Sequence, residues 1–321
     1  MNLTGYIGYV WVSRRVFPEA RLHWRAFDRT EWRRITSYSA HLFIIDIAPQ
    51  VSFNIDNVVI GGVLGTVAVA VYTVALRLSD YQSRLCDQFT GMLFPVLVAI
   101  GARRDERALR DTFVGSTRIT TTLVVGVAAT LVAFADLLIP HWMGPSFSGS
   151  VAPFDVLALA TVLVVADAPA AKLLAGLGRE RLVAGIWIAE AAVNLGLSLV
   201  LVRVMGITGV AIGTLVPLAV GHIGVMFPRA CRVAATSPLS CAWQALRPAA
   251  IAIAPTACLT LFLRREFNPA HAMSVIAEMA VVGLVYLAAV WTVGLDGMTR
   301  ATYRHVIAGI TRRGASATAT A

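Results

Sequence analysis

The sequence predicts an all-α, polytopic transmembrane helix bundle of about eight spans plus a partial N-terminal one. Three observations carry that prediction. Of 321 residues, 57% are hydrophobic and only 14% charged, whereas soluble domains carry roughly a quarter charged residues. Mean hydropathy is +0.73. The apolar residues also gather into runs long enough to cross a bilayer. A water-soluble globular enzyme is thereby excluded. The net charge of +9 would raise nucleic acid as a partner for a soluble protein. Here the arginines sit between apolar runs, where they report topology, and no nucleic-acid partner is expected.

Residues 1–12 read as the remnant of a preceding transmembrane helix, too short to cross alone. Arg14 and Arg15 follow this apolar stretch rather than precede it, so it lacks the pattern of a cleaved signal. Residues 13–37 form a basic linker in which Trp24, Phe27, Trp32 and Ile35 alternate with arginines. Two readings stand, a helix lying at anionic headgroups and a plain basic connection. Apolar spans are expected at residues 38–60, 66–100, 113–139, 151–171, 182–202, 207–228, 248–263 and 272–294. The first six occupy residues 38–228. A loop at 229–247, two trailing spans within 248–294 and a small, polar tail at 295–321 complete the chain.

Arginines concentrate on alternate loops, at residues 14–34, 103–110, 179–181 and 229–247 and in the tail, while the opposite loops hold Arg203, Arg264 and Arg265. Lys and Arg are retained on the cytoplasmic side of inserted helices. The basic linker and the C-terminus are therefore expected to face the cytoplasm, with the protein multi-pass in the cytoplasmic (inner) membrane.

The second span carries Arg77, Asp80, Tyr81, Arg84, Asp87, Gln88 and Gly91 at steps of three and four, on one helical face. Each charge at the centre of a lipid-facing helix costs roughly 2.5 to 3.5 kcal/mol. This face should therefore meet protein or a water-filled cavity. Arg77 and Arg84 suit attraction of an anionic group, with Tyr81, Gln88 and Asn54 beside them as cavity residues. Alternatively, Arg77, Asp80, Arg84 and Asp87 neutralise one another as a ladder at helical contact spacing.

The first span holds Asp46, Gln50, Asn54 and Asn57 on a stripe, with Asp56 beside it and Pro49 in its middle, where a proline bends a helix. Glu190, Asn194 and Ser198 repeat at every fourth residue of the fifth span. They read as hydrogen-bonding groups, with cation or proton coupling at Glu190 as the sharper alternative. Asp56, Asp80, Asp87, Glu190 and Asn194 are thus either coupling or structural polar residues. Gly206, Gly209 and Gly213 read as packing glycines, and Asp167 and Lys172 as an interfacial pair flanking Pro169. Cys86, Cys231, Cys241 and Cys258 show no CxxC spacing and the histidines no HExxH, so neither a metal nor a cofactor is expected.

Four stretches resemble the polysaccharide-biosynthesis flippases, the lipid-linked oligosaccharide branch of the multidrug/oligosaccharidyl-lipid/polysaccharide (MOP) exporter superfamily. They are Asn54-Ile-Asp56-Asn-Val-Val-Ile60-Gly-Gly-Val-Leu-Gly65 with Val71-Tyr72-Thr-Val-Ala75-Leu-Arg77-Leu; Leu93-Phe-Pro95; Ala175-Gly-Leu-Gly178-Arg179; and Asn194 through Gly206-Ile-Thr-Gly209-Val-Ala211. The likeness runs from about Arg14 to Arg232. It implies that the chain is the second of two lobes around an alternating-access cavity, N-terminally truncated relative to the family. It further implies that Asp56, Arg77 and Arg84 line that cavity, the basic side chains meeting the pyrophosphate of a polyprenyl-linked glycan.

The expected function is flipping of such an oligosaccharide for cell-surface polysaccharide assembly. The alternatives are a cation-coupled drug exporter of the same superfamily and a non-transporting remnant or scaffold of glycan assembly. No catalytic residue is expected, because His141 and His271 have no carboxylate or nucleophile partner in the outward loops. The expected partners are the lipid-linked glycan, membrane lipid, glycan-assembly enzymes, and a second copy or a separate first-lobe subunit.

Overall fold

The computed structural model describes residues 12, 15, 28–90, 106–266 and 271–294. The readings of residues 1–12 as a helix remnant, of most of the linker, of Leu93-Phe-Pro95, of the arginines at 103 and 104 and of the tail lie outside these residues. So do the side chains of Asp46, Pro49, Gln50 and Gln88. Every described element is helical, as the sequence predicts.

The chain divides into two units, Met1–Phe43 and Ile44–Ala321. In the first, Asp28 caps the helix that follows, its Oδ1 accepting from the Thr30 amide at 2.7 Å. That bond satisfies one of the free donors of a helix start. Trp32 and Ile35 are exposed along this helix.

The second unit is built from antiparallel helices. Helix α1, Arg29–Leu64, reaches into it and is followed by α2, Thr66–Thr90. Gly65 turns the chain between them at φ 87°, a left-handed backbone suited to glycine. Helix α3, Glu106–Met143, leads through a 3₁₀ turn, Pro145–Ser150, into α4, Val151–Gly176. Gly178, at φ 78°, ends α4, with its amide bonded to Ala175 and that of Arg179 to Leu174, which satisfies the last carbonyls of the helix.

Helix α5, Glu180–Ala219, is two arms joined at Gly206, whose φ of 60° and ψ of −142° are not helical. The arms, 180–205 and 207–219, fold back on each other. A Cβ on Gly209 would lie 2.3 Å from the Leu201 carbonyl oxygen, and one on Gly213 would lie 2.6 Å from Ser198 Oγ. Gly209 and Gly213 are thus packing glycines, as expected. Gly206 is instead the turn itself, with nothing packed against it. A π-helical turn, Val220–Met226, continues the second arm into α6, Phe227–Val233. Helices α7, Pro238–Glu266, and α8, Ala272–Ala289, follow.

Five helical runs are long and apolar enough to cross a membrane: Glu106–Met143, Pro145–Gly176, Glu180–Val233, Pro238–Glu266 and Ala272–Thr292. The third contains the hairpin and so accounts for two of the expected spans. Helices α1 and α2 cover the other two, but the charges on α2 keep it outside this apolar set. Within α1 the apolar part is Asn54–Leu64.

The core lies in two main layers. One joins Val59 and Ile60 of α1 and Tyr72, Ala75 and Leu78 of α2 to Phe134 and Ile139 of α3 and Phe154 and Leu157 of α4. The other joins Phe113 of α3 to Leu173 and Leu174 of α4, Val183 of α5, Met226 and Cys231. Cys86, Val124 and Val165 pack between α2, α3 and α4. Helix α8 docks on α3 where Tyr286 lies over Gly126, its hydroxyl donating to the Thr122 carbonyl at 2.8 Å.

Candidate functional site

Helix α2 has two unlike faces. Tyr72, Ala75, Leu78, Ser79, Gln82 and Cys86 are buried. Gln82 Nε2 donates to the Ala158 carbonyl at 3.2 Å, and the Val71 carbonyl accepts from Ser150 Oγ at 2.7 Å, so α4 and the turn before it hold this side. The other face presents Arg77, Tyr81, Arg84 and Asp87, all exposed, with Asp80 half-buried. Arg84 Nε donates to Asp80 Oδ2 at 2.9 Å, a contact between neighbouring turns of a helix. Arg77, Tyr81 and Arg84 therefore share one surface of the second unit, packed on a rigid backing. Asn54, on α1, is exposed as well.

Asp56 lies elsewhere. It is fully buried among four helical segments, its Oδ2 accepting from Tyr72 Oη at 3.0 Å and from Thr214 Oγ1 at 2.9 Å. Asn194 and Ser198 face the same carboxyl from the first arm of α5, and Ser198 Oγ donates to Asn194 Oδ1 at 2.8 Å. The arrangement follows from the two hairpins. Folding at Gly65 sets residue 56 against 72, and folding at Gly206 sets residues 194 and 198 beside the arm that carries 214.

Glu190 belongs to a different cluster. It is buried on the first arm of α5, opposite His222 in the π-helical turn, with Glu190 Oε1 3.9 Å from His222 Nε2. His222 Nδ1 lies 2.8 Å from Asp167 Oδ2 on α4. The spacing around Pro169 pairs Asp167 with Lys172 and gives His222 no partner. Residues 55 and 32 positions apart, as 167 and 190 are from 222, leave no local spacing by which to find the cluster. The signal available was that all three are ionisable residues within apolar spans. Among the described residues no group of His, Cys, Asp or Glu is arranged to hold a metal ion.

Residues 6–152 match a family model described as polysaccharide biosynthesis protein, which supports the resemblance read from the sequence over that part of the chain. No curated protein sequence matches. Two solved structures share the fold. One is an outward-facing multidrug-resistance MATE family transporter of the MOP superfamily, at 15% identity and a TM-score of 0.55. The other is a MOP superfamily transporter from Pyrococcus furiosus, at 15% identity and a TM-score of 0.52. Each likeness covers 80% of this chain and 62% of the transporter. These likenesses show a shared fold, and the chain spans about 62% of the length of the transporters it is similar to.

Proposed function

We propose that this chain is a lobe of a flippase that moves a polyprenyl-pyrophosphate-linked oligosaccharide across the cytoplasmic membrane for cell-surface polysaccharide assembly. The observation that carries the reading is the exposed Arg77–Tyr81–Arg84 surface on α2, opposite a face packed into the core. Charges so placed on a membrane helix need a polar environment. A central cavity closed by a second lobe supplies one, and the guanidinium groups then meet the anionic pyrophosphate. The family match over residues 6–152 and the transporter fold agree with that role. The C-terminus faces the cytoplasm.

No bond is made or broken in this process; the lobe binds the headgroup and shields it from the hydrocarbon core. Replacing Arg77 and Arg84 together by Ala is expected to abolish surface glycan display in a complementation strain, with the protein still accumulating in the membrane. Undiminished display overturns the assignment of the arginines.

A cation-coupled drug exporter is the second reading, favoured by the buried Asp56 carboxyl between hairpins. One of the similar structures is itself described as a multidrug resistance transporter. The exposed arginines count against it, since they repel cationic compounds. Resistance to organic cations conferred by the chain, with no effect on glycan display, would select it.

A further inference from the structure

We propose that His222, Glu190 and Asp167 form a proton-binding site in which one exchangeable proton sets the spacing of the two arms of the α5 hairpin. Three observations lead there. The carboxyl of Glu190 is 94% buried and neither of its oxygens has a hydrogen-bond partner, and His222 Nε2, on a side chain 98% buried, has none either. These unpartnered atoms face each other at 3.9 Å, about an ångström beyond a hydrogen bond. The contact also joins the two arms, and His222 sits in a π-helical turn, Val220–Met226, a distortion frequent at functional sites. Glu190 fits there because residue 221 is glycine; a Cβ on Gly221 would lie 1.8 Å from Glu190 Oε1.

The chemistry needs one proton and no other reactant. Asp167 Oδ2 accepts from His222 Nδ1–H at 2.8 Å, which leaves Nε2 directed at Glu190. With the site empty, an imidazole lone pair and a carboxylate face each other in a dry interior, and neither is satisfied. A proton from water, carried on Nε2 or on the Glu190 carboxyl, makes a hydrogen bond across the gap and draws the arms together. Its release returns the proton to water and lets them part. Among the described residues, the other titratable groups that face Asp167 are the Cys231 and Cys241 thiols, from α6 and α7. Neither is cationic, so nothing among these groups replaces the proton as the positive partner of Glu190.

The inference rests on the hairpin geometry and not on the glycan assignment, so each can fail alone. Trp187 supplies the readout, because its ring lies edge-on to His222 at 5.3 Å, close enough for an imidazolium to alter indole emission. In the full chain in lipid nanodiscs, with Trp187 as the remaining tryptophan, emission is expected to titrate reversibly between about pH 5 and 8. His222→Gln should remove that titration. Glu190→Gln should displace its midpoint to lower pH by at least about one unit, because the anion that holds the imidazolium is gone. A flat profile in the parent, or an unchanged one in His222→Gln, overturns the proposal. Infrared difference spectra of the unmodified chain, against Glu190→Gln, give a second test that needs no tryptophan substitutions. A pH-dependent band indifferent to Glu190→Gln also overturns it.

Discussion

Asp56 shows how much one side chain can organise. Tyr72 Oη and Thr214 Oγ1 both donate to its Oδ2, so α1, α2 and the second arm of α5 meet at a single oxygen. Removing it leaves the buried Tyr72 hydroxyl without an acceptor, at about 1–3 kcal/mol for a group left unpaired, while Thr214 Oγ1 keeps only the longer bond to the Val210 carbonyl at 3.3 Å. Asp56→Ala is therefore expected to lower the melting temperature of the purified protein clearly more than Tyr72→Phe, which deletes a donor and leaves the acceptor bonded to Thr214. Equal losses from the two variants would show that the Tyr72 hydroxyl finds another partner.

At the scale of elements, glycines decide how the helices meet. Gly206 holds a φ and ψ that other residues adopt only at a cost of about 1–3 kcal/mol. Gly206→Ala should thus destabilise the hairpin although no atom crowds the new methyl group. Gly126→Ala acts by the opposite route, since its Cβ would lie 2.2 Å from the Tyr286 ring. It is expected to expel Tyr286 and loosen α8 from α3, read as protease cleavage after α7 that Gly206→Ala does not produce.

For the whole molecule, exposure alone does not separate a lipid-facing surface from a watery one. Val200 and Val204 are as exposed as the arginines of α2, yet their chemistry suits hydrocarbon. Single cysteines at positions 77, 81 and 84, in a background with the natural cysteines replaced, are expected to react with a membrane-impermeant maleimide. Cysteines at 200 and 204 should not. Protection of all three α2 positions would remove the cavity from the proposed function. The Arg264 pair with Asp136, between α7 and α3, is partly exposed, and Asp136→Asn should change stability by no more than about 1 kcal/mol.

The sequence by itself determined the helical class, the order of the spans and the polar face of α2, because each rests on local periodicity and on the cost of placing polar groups in hydrocarbon. Arg77, Tyr81 and Arg84 could be grouped from their spacing alone. Only the tertiary structure decided that Asp56 turns away from them to meet Tyr72 and Thr214, and that Asp167, Glu190 and His222 converge. Those encounters depend on where the chain reverses. The span boundaries at 60/66 and 202/207 bracket those reversals, but the left-handed angles at Gly65 and Gly206 that set which faces meet are, unlike a hydrophobic period, not written in the residues around them.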